Sequence, residues 1–267
     1  MEPVGRDIRP VVLDLSLDDD ELRAACSDAL RNTLSPMVGL VNHGCEKACC
    51  ALAEAMKRRI ASEGGLGDVK QQACDIDGDL VTSAAELRGC LRSVCLRALR
   101  LALDDTALDA SLAERSLDLQ GRLCLRAYPP SEHGGTERLG PHCDSTLCTL
   151  LWSDGPGLEV LDPERASEWE PNAVLQYGLP TMGPPGPELS EDQWARVQLP
   201  WQSNPLLLTL GTSWLSSDLT ASRLPARCAV LHRVTLPQER TRHSLPFLAD
   251  LVPIAYGDER EVVGHSR

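Results

Sequence analysis

Apolar and polar positions change rhythm near the middle of the chain. Pro10-Val11-Val12-Leu13-Asp14-Leu15 is a short apolar run that predicts a strand, and the acidic stretch Asp18-Asp19-Asp20-Glu21 behind it suits the positive end of a helix reaching about Asn32. Met37 to Val41 predicts a second short strand, closed by the turn residues Asn42-His43-Gly44. Helical spacing follows from Glu46 to Ile60 and again from Ala84 to Leu103, with room for a further helical turn or two before Gly121. Residues 62 to 82 between them are rich in Gly and Asp and predict a loop.

From Gly121 onward the period shortens to two. Leu123, Leu125 and Ala127 alternate with other residues up to Tyr128-Pro129-Pro130. Apolar runs then recur between turn signals, at Leu147–Trp152, Leu158–Leu161, Leu206–Leu210, Cys228–Leu236 and His243–Leu248. That is the pattern of an antiparallel β structure with buried faces. Gly178 to Pro187 holds seven Gly or Pro in ten residues and predicts a loop without regular structure. No internal repeat is present. The expected outline is a helical first part, residues 1–120, supporting a β-barrel or sandwich over residues 121–267.

Composition narrows the function. With 26 Lys and Arg against 39 Asp and Glu, the net charge of −13 argues against a nucleic-acid or anionic-membrane partner, because phosphate binding relies on clustered cations. Hydrophobic residues at 42% and charged residues at 24% fit a packed globule, and with 5 Trp, 3 Tyr and 1 Phe its core must be mostly Leu, Val and Ala. No stretch approaches the roughly 18 consecutive apolar residues of a membrane span. The opening residues lack the apolar run of a signal peptide, and eleven cysteines are an odd number with adjacent members such as Cys49-Cys50. These features lead us to expect free thiols and a cytoplasmic location.

The chemistry concentrates in the β-like part. In an extended Gly140-Pro141-His142-Cys143-Asp144, His142 and Asp144 share a face while Cys143 points away. A second isolated histidine, His232, sits in the apolar run Val230-Leu231-His232-Arg233-Val234. Two His and one carboxylate form the facial triad that binds non-haem Fe(II) with positions left open. Ten residues beyond His232, Arg242 and Ser244 share a face and offer a bidentate guanidinium and a hydroxyl to a carboxylate. Each piece has a bland reading: a lone apolar-flanked His is ordinarily a satisfied core residue, and HxD or RxS triplets arise by chance. A sulfur-based zinc site from His142, Cys143, Cys148 and His232 would need adjacent ligands on a kinked backbone, and no CxxC pair completes it. No G-x-S-x-G elbow supports nucleophilic catalysis.

The ordered set of motifs resembles the isopenicillin N synthase-like family of 2-oxoglutarate- and Fe(II)-dependent oxygenases. The resemblance covers nearly the whole chain: the opening strand at Pro10–Leu15, Val41-Asn42-His43-Gly44, Tyr128-Pro129-Pro130, His142-Cys143-Asp144-Ser145 with Thr149-Leu150-Leu151, Gly157-Leu158-Glu159-Val160, Leu231-His232-Arg233-Val234 and Arg242-His243-Ser244. It implies a mainly β, α+β fold, a double-stranded β-helix (jelly roll) core with N-terminal supporting helices. It implies Fe(II) held by His142, Asp144 and His232, and 2-oxoglutarate held by Arg242 and Ser244 with Tyr128 as a further contact. It also implies ascorbate as an optional reductant. The implied reaction is dioxygen-dependent oxidation of an unactivated C–H bond of a small molecule by hydroxylation, desaturation or ring closure, releasing succinate and carbon dioxide. By the same resemblance His43 is a turn residue, not a ligand.

Three features depart from the family pattern. Arg126 stands where many relatives have Asn, two residues before the Tyr-Pro-Pro tyrosine. The stretch between His43 and Tyr128 is shorter than usual. The interval from His142 to His232, 90 residues, is longer. The alternatives are a degenerate relative that keeps the fold as a binding or regulatory module, and an oxidase of the same family that dispenses with 2-oxoglutarate.

Overall fold

The computed structural model describes residues 6–32, 37–63, 72–74, 80–102, 117–130, 137–162, 189–213, 229–235 and 240–253. The elements run β1 (Arg6–Ile8), β2 (Val11–Asp14), α1 (Asp19–Asn32), β3 (Met37–Val41), α2 (Glu46–Ser62), β4 (Gln72–Cys74) and α3 (Leu80–Ala102). They continue as β5 (Leu117–Leu123), β6 (Leu125–Tyr128), β7 (Glu137–His142), β8 (Cys148–Ser153), β9 (Leu158–Leu161), β10 (Trp194–Val197), β11 (Leu206–Leu210), β12 (His232–Thr235) and β13 (Arg242–Pro253).

Two sheets form the core of a jelly roll. One has the order β1-β10-β9-β12-β7, the other β2-β3-β11-β8-β13-β6-β4, with β5 pairing β13 beside β6. The alternation of side chains sorts β6, β8, β11 and β13 of the larger sheet between two environments. Leu150 and Trp152 of β8, Leu206 and Leu208 of β11, and Leu245 and Phe247 of β13 face the three helices in one apolar cluster. Tyr128 and Leu207 face the other way and meet Leu158, Val160 and Val234 of the smaller sheet. The space between the sheets is where the opposite-parity residues of all these strands converge.

The helices cover the outer face of the larger sheet by regular stripes. On α3, Leu80, Ala84, Leu87, Leu91, Cys95 and Ala98 are buried at intervals of three and four. On α2, Cys49, Leu52, Ala53, Met56 and Ile60 do the same. Among the described residues, no helix is long and apolar enough to cross a membrane.

Several expectations are corrected. Residues 62 to 82 are not all loop: Gln72–Cys74 pairs with β6, and α3 starts at Leu80, before Ala84. β5 begins at Leu117 and pairs with β13, while the further helical turn or two expected after Leu103 would fall in residues 103–116, outside the described residues. The expected boundary at 120/121 falls inside that strand, and β1, β2 and β3 of the first part belong to the two sheets. The thiols are not all free: Cys45 and Cys90 form a disulfide that ties the start of α2 to α3. Their separation of 45 residues carries no local signal, so only tertiary packing brings them together. The loop expected at Gly178 to Pro187 lies outside the described residues, as do Cys228 and Leu236.

Candidate metal centre and anion pocket

His142 ends β7 and His232 opens β12, and the two are register partners across the antiparallel pair. Their rings lie 4.2 Å apart between centroids. Asp144 is not on the strand with His142, as the spacing suggested; it lies two residues past the end of β7, in the turn leading to β8. The turn nevertheless brings its Oδ1 to 3.8 Å from His142 Nε2. One ligand atom from each of His142, Asp144 and His232 lies within 4.8 Å of the others, a spacing able to hold a metal ion.

Backbone carbonyls fix which ring nitrogen of each imidazole faces the site. His142 Nδ1 is 2.9 Å from Gly140 O, and His232 Nδ1 is 3.0 Å from Val230 O. A carbonyl can only accept, so each Nδ1 carries a proton, and in the neutral ring it is Nε2 that keeps the lone pair. Both contacts reach two residues back along the chain, the same local geometry used twice. Burial, and then the neighbouring His232, hold His142 below the ordinary histidine range and favour the neutral ring a metal requires. Asp144 divides its two oxygens: the Thr149 hydroxyl donates to Oδ2 at 2.6 Å, while Oδ1 faces His142. The donor set of two imidazoles and one carboxylate, each tied behind by a hydrogen bond, fits a non-haem Fe(II) ion.

The Asp144 turn is held by backbone contacts to the end of β11. Thr212 N donates to Asp144 O at 2.8 Å, and Gly211 N donates to Leu147 O at 3.0 Å. A Cβ on Gly211 would collide with the carbonyl oxygen of Thr146, so only glycine allows this approach.

Arg242 opens β13 opposite Tyr128 of β6, and its guanidinium carbon lies 5.4 Å from the Tyr128 ring centroid. The side chain is 2% exposed. Its Nε donates weakly to Gly155 O at 3.4 Å, while among the described residues Nη1 and Nη2 are buried with no hydrogen-bond partner within ordinary distance. Burial lowers its proton affinity, opposed by the nearby Tyr128 and Asp154. A buried guanidinium with two idle nitrogens fits the far carboxylate of a dicarboxylate such as 2-oxoglutarate. Ser244, 1% exposed, shares the parity of Arg242 on β13 and pairs with Arg126 and Ser153. His243 alternates to the other side, where Asp154 holds it.

The remaining candidates take structural roles. Cys45 N donates to His43 Nδ1, so His43 Nε2 carries the proton and donates to Asn204 O at 3.0 Å. Asn42, with positive φ, makes the turn and donates to Asp14. Arg126 stands two residues before Tyr128 on β6, half-buried and of the same parity. Thr149, Asp154, Gly155 and Gly211 were not singled out as site residues by sequence: Asp154, Gly155 and Gly211 act through contacts distant in the chain, and Thr149 reaches Asp144, five residues back, only because the intervening turn folds that way.

No family model matches the chain, and no curated protein matches it by sequence. Solved structures match it by shape. JOX2, crystallised with 2OG, Fe and JA, aligns with a TM-score of 0.60 at 16% identity, over 93% of this chain and 77% of that one. A full-length Neurospora crassa protein, in complex with alpha-KG and 5-formyluracil, aligns with a TM-score of 0.57 at 16% identity, over 94% and 88%. A dioxygenase for auxin oxidation in rice aligns with a TM-score of 0.53 at 16% identity, over 89% and 82%. At such identities the likeness is one of fold, and it agrees with the jelly roll implied by the motifs.

Proposed function

We propose that this chain is an Fe(II)- and 2-oxoglutarate-dependent oxygenase acting on an unactivated C–H bond of a small molecule. The observation that carries the reading is Arg242. A cation only 2% exposed, with Nη1 and Nη2 unpartnered among the described residues, is unfavourable unless an anion meets it, and it stands in the same sheet as Thr149, whose hydroxyl holds Asp144. His142, Asp144 and His232 would hold the iron, and Arg242 with Ser244 would hold the far carboxylate of 2-oxoglutarate. Bound together, iron and 2-oxoglutarate supply dioxygen activation coupled to decarboxylation, with succinate and carbon dioxide as co-products.

The chain's own residues do the positioning. Gly140 O and Val230 O orient the two imidazoles, and Thr149 steadies Asp144 so that metal binding needs no rotamer search. Tyr128 covers one face of the Arg242 guanidinium. Leu158, Val160, Leu207 and Val234 make the space between the sheets apolar, which excludes water from the reacting centre and favours an apolar substrate body. Two of the shape neighbours were crystallised with this cosubstrate, named 2OG with JOX2 and alpha-KG with the Neurospora crassa protein, and this supports the same use here.

The test is anaerobic addition of 2-oxoglutarate to protein loaded with Fe(II). The expected result is a metal-to-ligand absorption band that saturates, followed by succinate formation when air is admitted. Iron binding without a band favours the oxidase that dispenses with 2-oxoglutarate. Loss of both iron binding and band leaves the binding-module reading.

A further inference from the structure

The larger sheet has a gap beside Arg242. On the β6 side, Arg242 pairs with Tyr128, but on the β8 side the ladder of β13 stops at Ser244, opposite Ser153. Arg242 and His243 therefore lie beyond the last residue of β8. What meets them is the turn that follows β8. Asp154 accepts the His243 backbone N–H on Oδ1 at 2.8 Å and the His243 ring Nδ1–H on Oδ2 at 2.9 Å. Its own N–H donates to His243 O at 3.1 Å. The next residue, Gly155, accepts from Arg242 Nε, and Ser153 Oγ donates to the same carbonyl at 2.7 Å.

The carboxylate is in turn tied to its surroundings. Lys57 Nζ of α2 lies 3.5 Å from Asp154 Oδ2 and 2.8 Å from Glu54. Arg240 donates to Asp154 O at 2.7 Å, lying where a Cβ on Gly155 would stand. Asp154 thus replaces a missing strand residue with a side chain that grips β13 from the outer face. The same peptide segment touches Nε, the one guanidinium nitrogen not left idle.

We propose that Asp154 and His243 form a positioning pair, which sets the Arg242 guanidinium for the carboxylate it receives. The inference rests on the 2-oxoglutarate reading of the pocket and adds to it residues that touch neither metal nor ligand. Because Asp154 grips the residue between Arg242 and Ser244, loosening it shifts both anion-binding groups together. A merely structural Asp154 would lower the melting temperature and leave ligand affinity alone.

The experiment compares wild type with Asp154→Ala, His243→Ala and the double variant, each loaded with Fe(II) under nitrogen and titrated with 2-oxoglutarate. Asp154→Ala is expected to raise the 2-oxoglutarate Kd at least tenfold while Fe(II) affinity stays within twofold. His243→Ala should do nearly the same, and the double variant should add little to either. Asp154→Asn, which keeps one acceptor, should fall between and serves if the alanine variant does not fold. Hydrogen exchange on metal-free protein gives a reading independent of the ligand: the peptide covering residues 241–246 should lose protection in Asp154→Ala while 247–253 keeps it. A band with the same Kd in wild type and Asp154→Ala, or its Asn replacement, overturns the positioning role alone. Wild-type protein that binds Fe(II) and gives no band overturns the functional reading, and this one with it.

Discussion

At the scale of single residues, Arg242 is a costly group to bury, a guanidinium 2% exposed whose two Nη nitrogens are unpartnered among the described residues. Folding has to bury that charge, and binding an anion recovers part of the loss. Arg242→Ala should therefore weaken 2-oxoglutarate binding by about 2–5 kcal/mol, the range for breaking one side of a buried charge pair. Arg242→Lys should also weaken it, because an ammonium lacks the planar fork. Fe(II) affinity, read by titration without 2-oxoglutarate, should survive both changes. Thr149 makes the opposite pattern. Thr149→Val removes the donor to Asp144 Oδ2 at nearly constant volume, so iron affinity should fall by roughly 10–100-fold, as for other residues behind a metal ligand. An unchanged iron Kd in that variant would show that Asp144 needs no orientation from behind.

At the scale of elements, α3 and β13 are each held by one contact that strand or helix patterns do not announce. The Cys45–Cys90 disulfide closes a loop across α2 and α3, and cross-links of this kind contribute about 2–4 kcal/mol by restricting the unfolded chain. Reduction, or Cys45→Ser with Cys90→Ser, should lower the melting temperature, and added reductant should then have no further effect on the double variant. On β13 the one phenylalanine, Phe247, lays its ring over Gly121 of the neighbouring β5, so a Cβ there would stand inside the ring. Gly121→Ala should destabilise by roughly 1–3 kcal/mol, the usual cost of overpacking, seen as a lower denaturant midpoint with an unchanged slope. At the same scale, sequence reading located α1, β3, β9 and β11 to within a residue, because amphipathic spacing and flanking turn residues act within a few positions. It missed β1, β4, β10 and the onset of β5. Unlike Leu158–Leu161 of β9, the segments Arg6–Ile8, Gln72–Cys74 and Trp194–Val197 hold no apolar run bounded by turn residues, and the onset of β5 is set by its pairing with β13.

At the scale of the whole molecule, acid sensitivity follows from carboxylates held in their charged form. Burial would raise Asp154, but the hydrogen bonds from His243 and the charges of His243 and Lys57 leave it below its ordinary value. Glu191 is lowered by its hydrogen bonds to Arg233, against a smaller effect of burial. For a group whose folded pKa is depressed, the stabilisation is fully present above the unfolded value of about 4 and disappears as pH falls through the folded value. The folded chain should therefore lose stability below about pH 4, and Asp154→Asn should flatten that loss in denaturant titrations at successive pH values. The two periodicities indicated helices supporting a β-barrel or sandwich, and the resemblance carried by the ordered motifs implied a jelly roll and singled out His142, Asp144, His232, Arg242 and Ser244. Those signals are local: alternation sends Arg242 and Ser244 one way and His243 the other whatever the rest of the chain does. Tertiary structure alone decided that His232 lies opposite His142, that Asp144 reaches the centre from a turn and not from the strand, and that Cys45 meets Cys90. It also decided that Asp154 grips His243 across 89 residues of sequence. The reason is physical: each of these depends on the register and packing of strands distant in the chain, which no single segment encodes.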